Sequence, residues 1–101
     1  PLDGAIMVAT PHDLTASIVE RAINMARTMN TEVLGIVENM SYYRCPDCGR
    51  IARFGNSTTL LARKYGLKIL ASIPLEEDIA HYCDAGVVEE YKTDYFEGFE
   101  L

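Results

Sequence analysis

Two short apolar runs, residues 4–9 and 32–37, enclose a longer segment whose apolar residues recur every three or four positions. Neither run alternates with polar residues, which is how a strand reads when it is covered on both faces. Between them, Thr10-Pro11-His12-Asp13 carries the chemistry of a helix start. Thr10 can cap, Pro11 suits the first helical position, and Asp13 favours the positive helix end. The spacing predicts a helix over residues 11–29, broken at Asn30-Thr31. Leu14, Ile18, Ala22, Met25, Ala26 and Met29 share one face, with Val19 and Ile23 beside them, and that face is expected to point inward. The methionines in this stretch read as ordinary core packing. Strand, helix, strand in this order is a right-handed βαβ unit with parallel strands.

The pattern continues downstream. A second helix is expected over residues 57–65, capped by Asn56-Ser57, with Leu60, Leu61 and Tyr65 inward and Gly66 as its stop. Residues 68–73 read as a third strand, ended by Pro74, which cannot donate to a ladder. Residues 75–85 read as a third helix, with Glu76, Glu77 and Asp78 loading its first turn and Gly86 terminating it. The fold class expected is therefore α/β: one three-layer unit over residues 1–101, with a parallel sheet of at least three strands flanked by helices.

Composition narrows the function classes. The chain has 101 residues, nearly half apolar, and a net charge of −6. That charge argues against binding nucleic-acid backbones or anionic membranes. It is concentrated at the end: residues 89–101 hold Glu89, Glu90, Asp94, Glu97 and Glu100 against Lys92, an acidic tail with aromatics at Tyr91, Tyr95, Phe96 and Phe99. No run of 18 apolar residues and no signal-peptide pattern occurs, so a cytoplasmic protein is expected. The three cysteines are an odd count, and two of them form a CxxC. Such usage indicates a metal or redox site rather than a disulfide framework.

That pair is the most specific feature of the chain. Residues 36–54 begin in the second strand, pass a polar corner at Glu38, Asn39 and Ser41, and end in a knuckle, Cys45-Pro46-Asp47-Cys48-Gly49. Pro46 fixes φ in the turn and Gly49 permits the positive φ that closes it. Both sulfurs can then face one metal. Arg44, Arg50 and Arg53 are either solvated loop charges or a means of lowering thiol pKa. Two thiolates fill half of a four-thiolate site. Cys83 reads as a buried structural cysteine in the third helix rather than a ligand. The remaining ligands then come from outside the chain, most simply from a second copy across a two-fold axis. Residue types alone leave iron–sulfur and zinc both open. A thioredoxin-like role fits less well, because residues 38–45 separate the strand from the motif with no clear helix beyond.

Asn39 lies just past the second strand, where ligands of open parallel sheets collect. Its amide offers the donor and acceptor needed to read a nucleobase edge, or it satisfies backbone groups at the strand exit. His12 and His81 read as surface residues. Ser17 and Ser57 have no triad partners.

The run Val37-Glu38-Asn39-Met40-Ser41-Tyr42, followed by Cys45-Pro46-Asp47-Cys48, resembles the Mrp/ApbC family of P-loop ATPases that carry iron–sulfur clusters. The resemblance extends to residues 2–14, Phe54-Gly55, residues 70–75 and Asp84-Ala85-Gly86, and so covers roughly residues 1–91. The family's glycine-rich Walker A loop and its Asp-x-Pro-Pro-Gly segment do not occur here, so the chain looks like the C-terminal portion of such a protein. The resemblance implies a 4Fe–4S cluster bridging a homodimer through Cys45 and Cys48. It also implies Asn39 and Pro74 beside the nucleotide base, and ATP and magnesium in the intact protein. Cluster loading, or transfer to apo iron–sulfur recipient proteins, would be coupled to ATP turnover. Without the phosphate loop this chain is expected to be inactive as a hydrolase on its own. Two other readings stand beside this one. One is a zinc knuckle that dimerises or docks a partner through Tyr42, Tyr43 and the arginines. The other is a fragment of a MinD/ParA-like positioning ATPase, which predicts a basic DNA-binding face or a basic amphipathic membrane helix, neither of them visible.

Overall fold

Both apolar runs form strands, and they pair. The computed structural model describes residues 3–96. Strand β1 spans Ala5–Ala9, helix α1 spans Asp13–Thr28 and strand β2 spans Val33–Glu38. After β2 come two three-residue strands, β3 (Tyr42–Arg44) and β4 (Ile51–Arg53), then helix α2 (Ser57–Tyr65) and strand β5 (Ile69–Ser72). Helix α3 (Glu77–Asp84) and a 3-10 turn (Val88–Glu90) follow. β1, β2 and β5 form a parallel sheet with β2 in the centre, and β3 and β4 form a separate antiparallel hairpin. The α/β class and the parallel sheet flanked by helices are as expected. The hairpin adds to the expected elements: residues 41–54, which hold the cysteine knuckle, carry no strand signal in the sequence.

Central position explains the composition of β2. Val33, Gly35, Ile36, Val37 and Glu38 are all buried. Gly35 is there for space: a Cβ would lie 2.6 Å from Leu70 Cγ and 2.9 Å from the Lys68 carbonyl. Any larger residue would push the neighbouring strand away.

Both crossovers in a β1-β2-β5 order run in the same direction, and right-handed crossovers then place α1 and α2 on the same face. They share one core of Val19, Ile23, Leu61 and Ala62 with Ala9, Val33 and Ile36. Helix α3 contributes nothing to that core and has no buried residue. Among the described residues the expected three layers are thus two, and the start of α3 faces the hairpin across a cleft lined by Tyr43, Arg44, Pro46, Glu77 and Asp78. Cys83, expected to be buried in α3, is exposed.

The inward face of α1 also differs from expectation. Ile23 is 0% exposed, whereas Leu14 is 75% and Ile18 58% exposed. Met25 and Met29 are exposed too. The core-facing stripe runs through Ala16, Val19, Ile23 and Ala26. In α2, Leu61 is buried and Tyr65 packs against the core as expected, while Leu60 is exposed and Ala62 takes its place inside. Neither helix has a side-chain cap hydrogen bond; Thr10 Oγ1 donates to Thr15 Oγ1 at 2.9 Å instead of capping α1.

The tail folds back. Tyr82 and Tyr91 meet edge to face at 5.3 Å between ring centres. The Tyr91 and Tyr95 hydroxyls both donate to the Glu76 carboxylate, at the N-terminus of α3. Phe99, with Glu97 and Glu100, lies outside the described residues.

Candidate metal centre

The three parallel strands end level with one another: Ala9 is in register with Glu38, and Glu38 with Ser72. This is the edge where ligands of such sheets gather. Asn39 leaves β2 there, half-buried, its N–H donating to the Ala9 carbonyl at 2.7 Å. Its Oδ1 accepts the Met40 N–H at 3.0 Å, which fixes the direction of the amide group. Met40 itself sits at φ 51°. Pro74, buried, leaves β5 at the same edge.

The corner is stitched to the exit of β5. Ile73 N–H donates to the Glu38 carbonyl and Ser41 N–H to the Ile73 carbonyl, both at 2.8 Å. Leu75 N–H then donates to the Tyr42 carbonyl at 2.7 Å. The backbone of the cysteine hairpin is therefore anchored to the segment that carries Pro74. A cavity of about 400 Å³ lies between them, lined by Tyr42, Arg44, Pro74, Glu76, Asp94 and Tyr95.

At the hairpin tip, Cys45 N–H donates to the Arg50 carbonyl and Gly49 N–H to the Cys45 carbonyl, each at 2.8 Å. Gly49 has φ 74°, the left-handed value expected of it. Both cysteines are free thiols, Cys45 half-buried and Cys48 exposed. The Cys45 thiol is held below the ordinary thiol range, first by the backbone N–H of Cys48, then by that of Asp47 and by the Cys48 side chain. The arginines are not among those causes. Arg53 instead lies over the Tyr42 ring at 5.6 Å. The turn's own amides stabilise the thiolate, so a metal-ready sulfur needs no neighbouring cation. Among the described residues no three His, Cys, Asp or Glu side chains gather as a metal site. Cys83, on α3, does not join the pair.

Sequence reasoning missed the two features that brace this region. One is the Glu38–Ser41 hydrogen bond under the corner; the acid that ends an apolar strand was its visible signal. The other is the Tyr91–Glu76–Tyr95 clasp, whose partners are too far apart in sequence to be read.

Comparison with known proteins bears on the same region. A model of the ParA group, described as NUBPL iron-transfer P-loop NTPase, matches residues 1–98. The chain belongs to this family. An iron-sulfur cluster carrier protein of Aquifex aeolicus is 39% identical over 94 residues, 84% of this chain and 24% of that protein. The iron-sulfur cluster transfer protein NUBPL of Dictyostelium discoideum is 39% identical over 88 residues, 85% of this chain and 27% of that one. A nucleotide-binding protein of Archaeoglobus fulgidus, solved in complex with ADP, superposes with TM-score 0.84 at 46% identity. That alignment covers 98% of this chain and 42% of the other. This member of the iron-transfer family thus spans about a quarter of the length of the curated relatives it matches. The knuckle and the strand exits described above both fall within the matched region.

Proposed function

We propose that this chain is the cluster-holding part of an iron–sulfur carrier. Cys45 and Cys48 supply half of a four-thiolate site, and the same pair on a second copy supplies the rest. The cargo is a 4Fe–4S cluster, held for transfer to apo iron–sulfur proteins. One observation carries the reading: two free thiols sit at the tip of a short hairpin, one of them stabilised as thiolate by the turn's own amides. Soft thiolate donors select iron–sulfur clusters or zinc over hard cations. The relatives named as cluster carriers favour the cluster.

Asn39 and Pro74 would flank the base of a bound nucleotide, as their places at the strand exits allow, and the ADP complex of the Archaeoglobus protein supports this. Magnesium and the β- and γ-phosphates would depend on a phosphate loop beyond these residues. The bracing hydrogen bonds from residues 73 and 75 to the cysteine hairpin offer a route by which nucleotide at Pro74 could alter the grip on the cluster.

Anaerobic reconstitution with iron and sulfide tests the reading. The protein should turn brown, and Cys45→Ser should take up no cluster while keeping its helical circular dichroism. A full cluster on Cys45→Ser would refute the assignment. A colourless protein with stoichiometric zinc would support the knuckle as a zinc module.

A further inference from the structure

The corner between β2 and β3 buries a carboxylate to which the reading above gives no task. Glu38 is 8% exposed and Ser41 1% exposed, and Ser41 Oγ donates to Glu38 Oε1. Neither ion pair among the described residues includes Glu38. A polar side chain is costly to bury without a partner, so an acid at a strand end that needed only to fill space would be a poor choice. Its bond to Ser41 closes a ring. The Glu38 carbonyl and the Ser41 N–H are both tied to Ile73, on the exit of β5, and the two side chains are tied to each other. Between them Met40 holds a left-handed φ that a side chain rarely adopts, a conformation that lasts only where its flanks impose it. Immediately after Ser41 the chain becomes β3 and reaches Cys45.

We propose that Glu38, acting through Ser41, is the positioning residue of the cysteine hairpin: it fixes the direction in which β3 leaves the sheet. The proposal rests on the reading that Cys45 and Cys48 hold a cluster with a second copy. Leverage makes direction matter. Four residues of strand from Ser41 to Cys45 span about 13 Å, so a tilt of about 15° at the corner moves the sulfur by roughly 3 Å. Metal–sulfur distances tolerate only about 0.2 Å. A hairpin free to swing would hold the shared cluster for a fraction of the time.

The test uses the whole chain, reconstituted anaerobically, with cluster loss to an iron chelator followed by absorbance. Glu38→Ala and Ser41→Ala should each speed cluster loss about tenfold, the scale of leaving a buried hydrogen-bonding group unpaired. The double variant should be no faster than either single one. Glu38→Gln keeps an acceptor oxygen for Ser41 and should restore nearly the original rate. In the cluster-free chain, the Ser41 and Leu75 amides should exchange with solvent faster in the two alanine variants and not in Glu38→Gln. Ser41→Ala removes a single oxygen and keeps the test open if Glu38→Ala does not fold. Unchanged cluster lifetimes in both alanine variants, beside a loaded parent chain, would overturn the proposal alone. A folded parent chain that takes up no cluster would overturn the underlying reading, and the proposal with it.

Discussion

Two isoleucines on α1 distinguish between its faces. Ile23 is 0% exposed within the core and Ile18 is 58% exposed. Replacing Ile23 by alanine removes fully buried methylene and methyl groups and leaves a cavity, a change that costs about 2–5 kcal/mol. For Ile18, about two-fifths of the side chain is covered, so at about 0.8 kcal/mol per buried carbon the transfer loss is about 1 kcal/mol. No cavity forms there, and alanine's better helix propensity returns roughly 0.4 kcal/mol. The net change is about 0.5 kcal/mol. Urea unfolding followed by far-UV circular dichroism resolves the two, because with a slope of about 1–3 kcal/mol per molar the Ile23 variant's midpoint falls by about 1 M or more. The Ile18 variant should stay within about 0.5 M of the parent. Equal losses, or a larger loss at Ile18, would mean that α1 packs through its Leu14 and Met25 stripe and that the core described above is wrong.

Other outcomes follow from the site and the tail. The lowered Cys45 thiol should react with iodoacetamide ahead of Cys48 and Cys83 near neutral pH, although both of those are more exposed. Thiolate fraction outweighs the accompanying loss of nucleophilicity. Peptide mass mapping showing Cys48 or Cys83 modified first would contradict the amide cradle. The Tyr91 and Tyr95 hydroxyls are pushed above the ordinary tyrosine value of 10.0, first by burial and then by the Glu76 carboxylate. A raised pKa means the folded state favours the protonated phenol, so this stabilisation is intact below about pH 10 and is lost as pH rises above it. The urea midpoint of the parent chain should therefore fall more steeply above pH 10 than that of Tyr91→Phe/Tyr95→Phe. Parallel profiles would show that the clasp contributes nothing.

The parallel sheet was legible because β1 and β2 are uninterrupted apolar runs, although α1 and α2 cover one face of the sheet and Val8 of β1 is exposed. The knuckle was legible because cysteine, proline and glycine each have a narrow conformational use. What was not legible depends on neighbours. Helix α1 has two apolar stripes, Leu14-Ile18-Met25-Met29 and Ala16-Val19-Ile23-Ala26, separated by roughly a third of a turn. The first holds the larger residues and attracts a reading by periodicity, yet the second meets β2. Nothing within the helix decides between them. The β3–β4 hairpin is too short to show alternation, and its pairing is set by the cysteine turn. The source of the thiolate's stabilisation stays open in the sequence for a similar reason: arginines are visible there, while backbone amides of a tight turn are not. Glu38 was noticed as part of a polar corner, but its burial follows from the central place of β2.

The central claim is that the hairpin holds half a site and shares its cargo. Native mass spectrometry of the anaerobically reconstituted chain measures this directly. The account predicts two chains carrying four irons and four sulfides, with neither cluster nor dimer retained when Cys45 and Cys48 are both serine. A full cluster on a single chain, or a cluster that survives loss of both thiols, would contradict it.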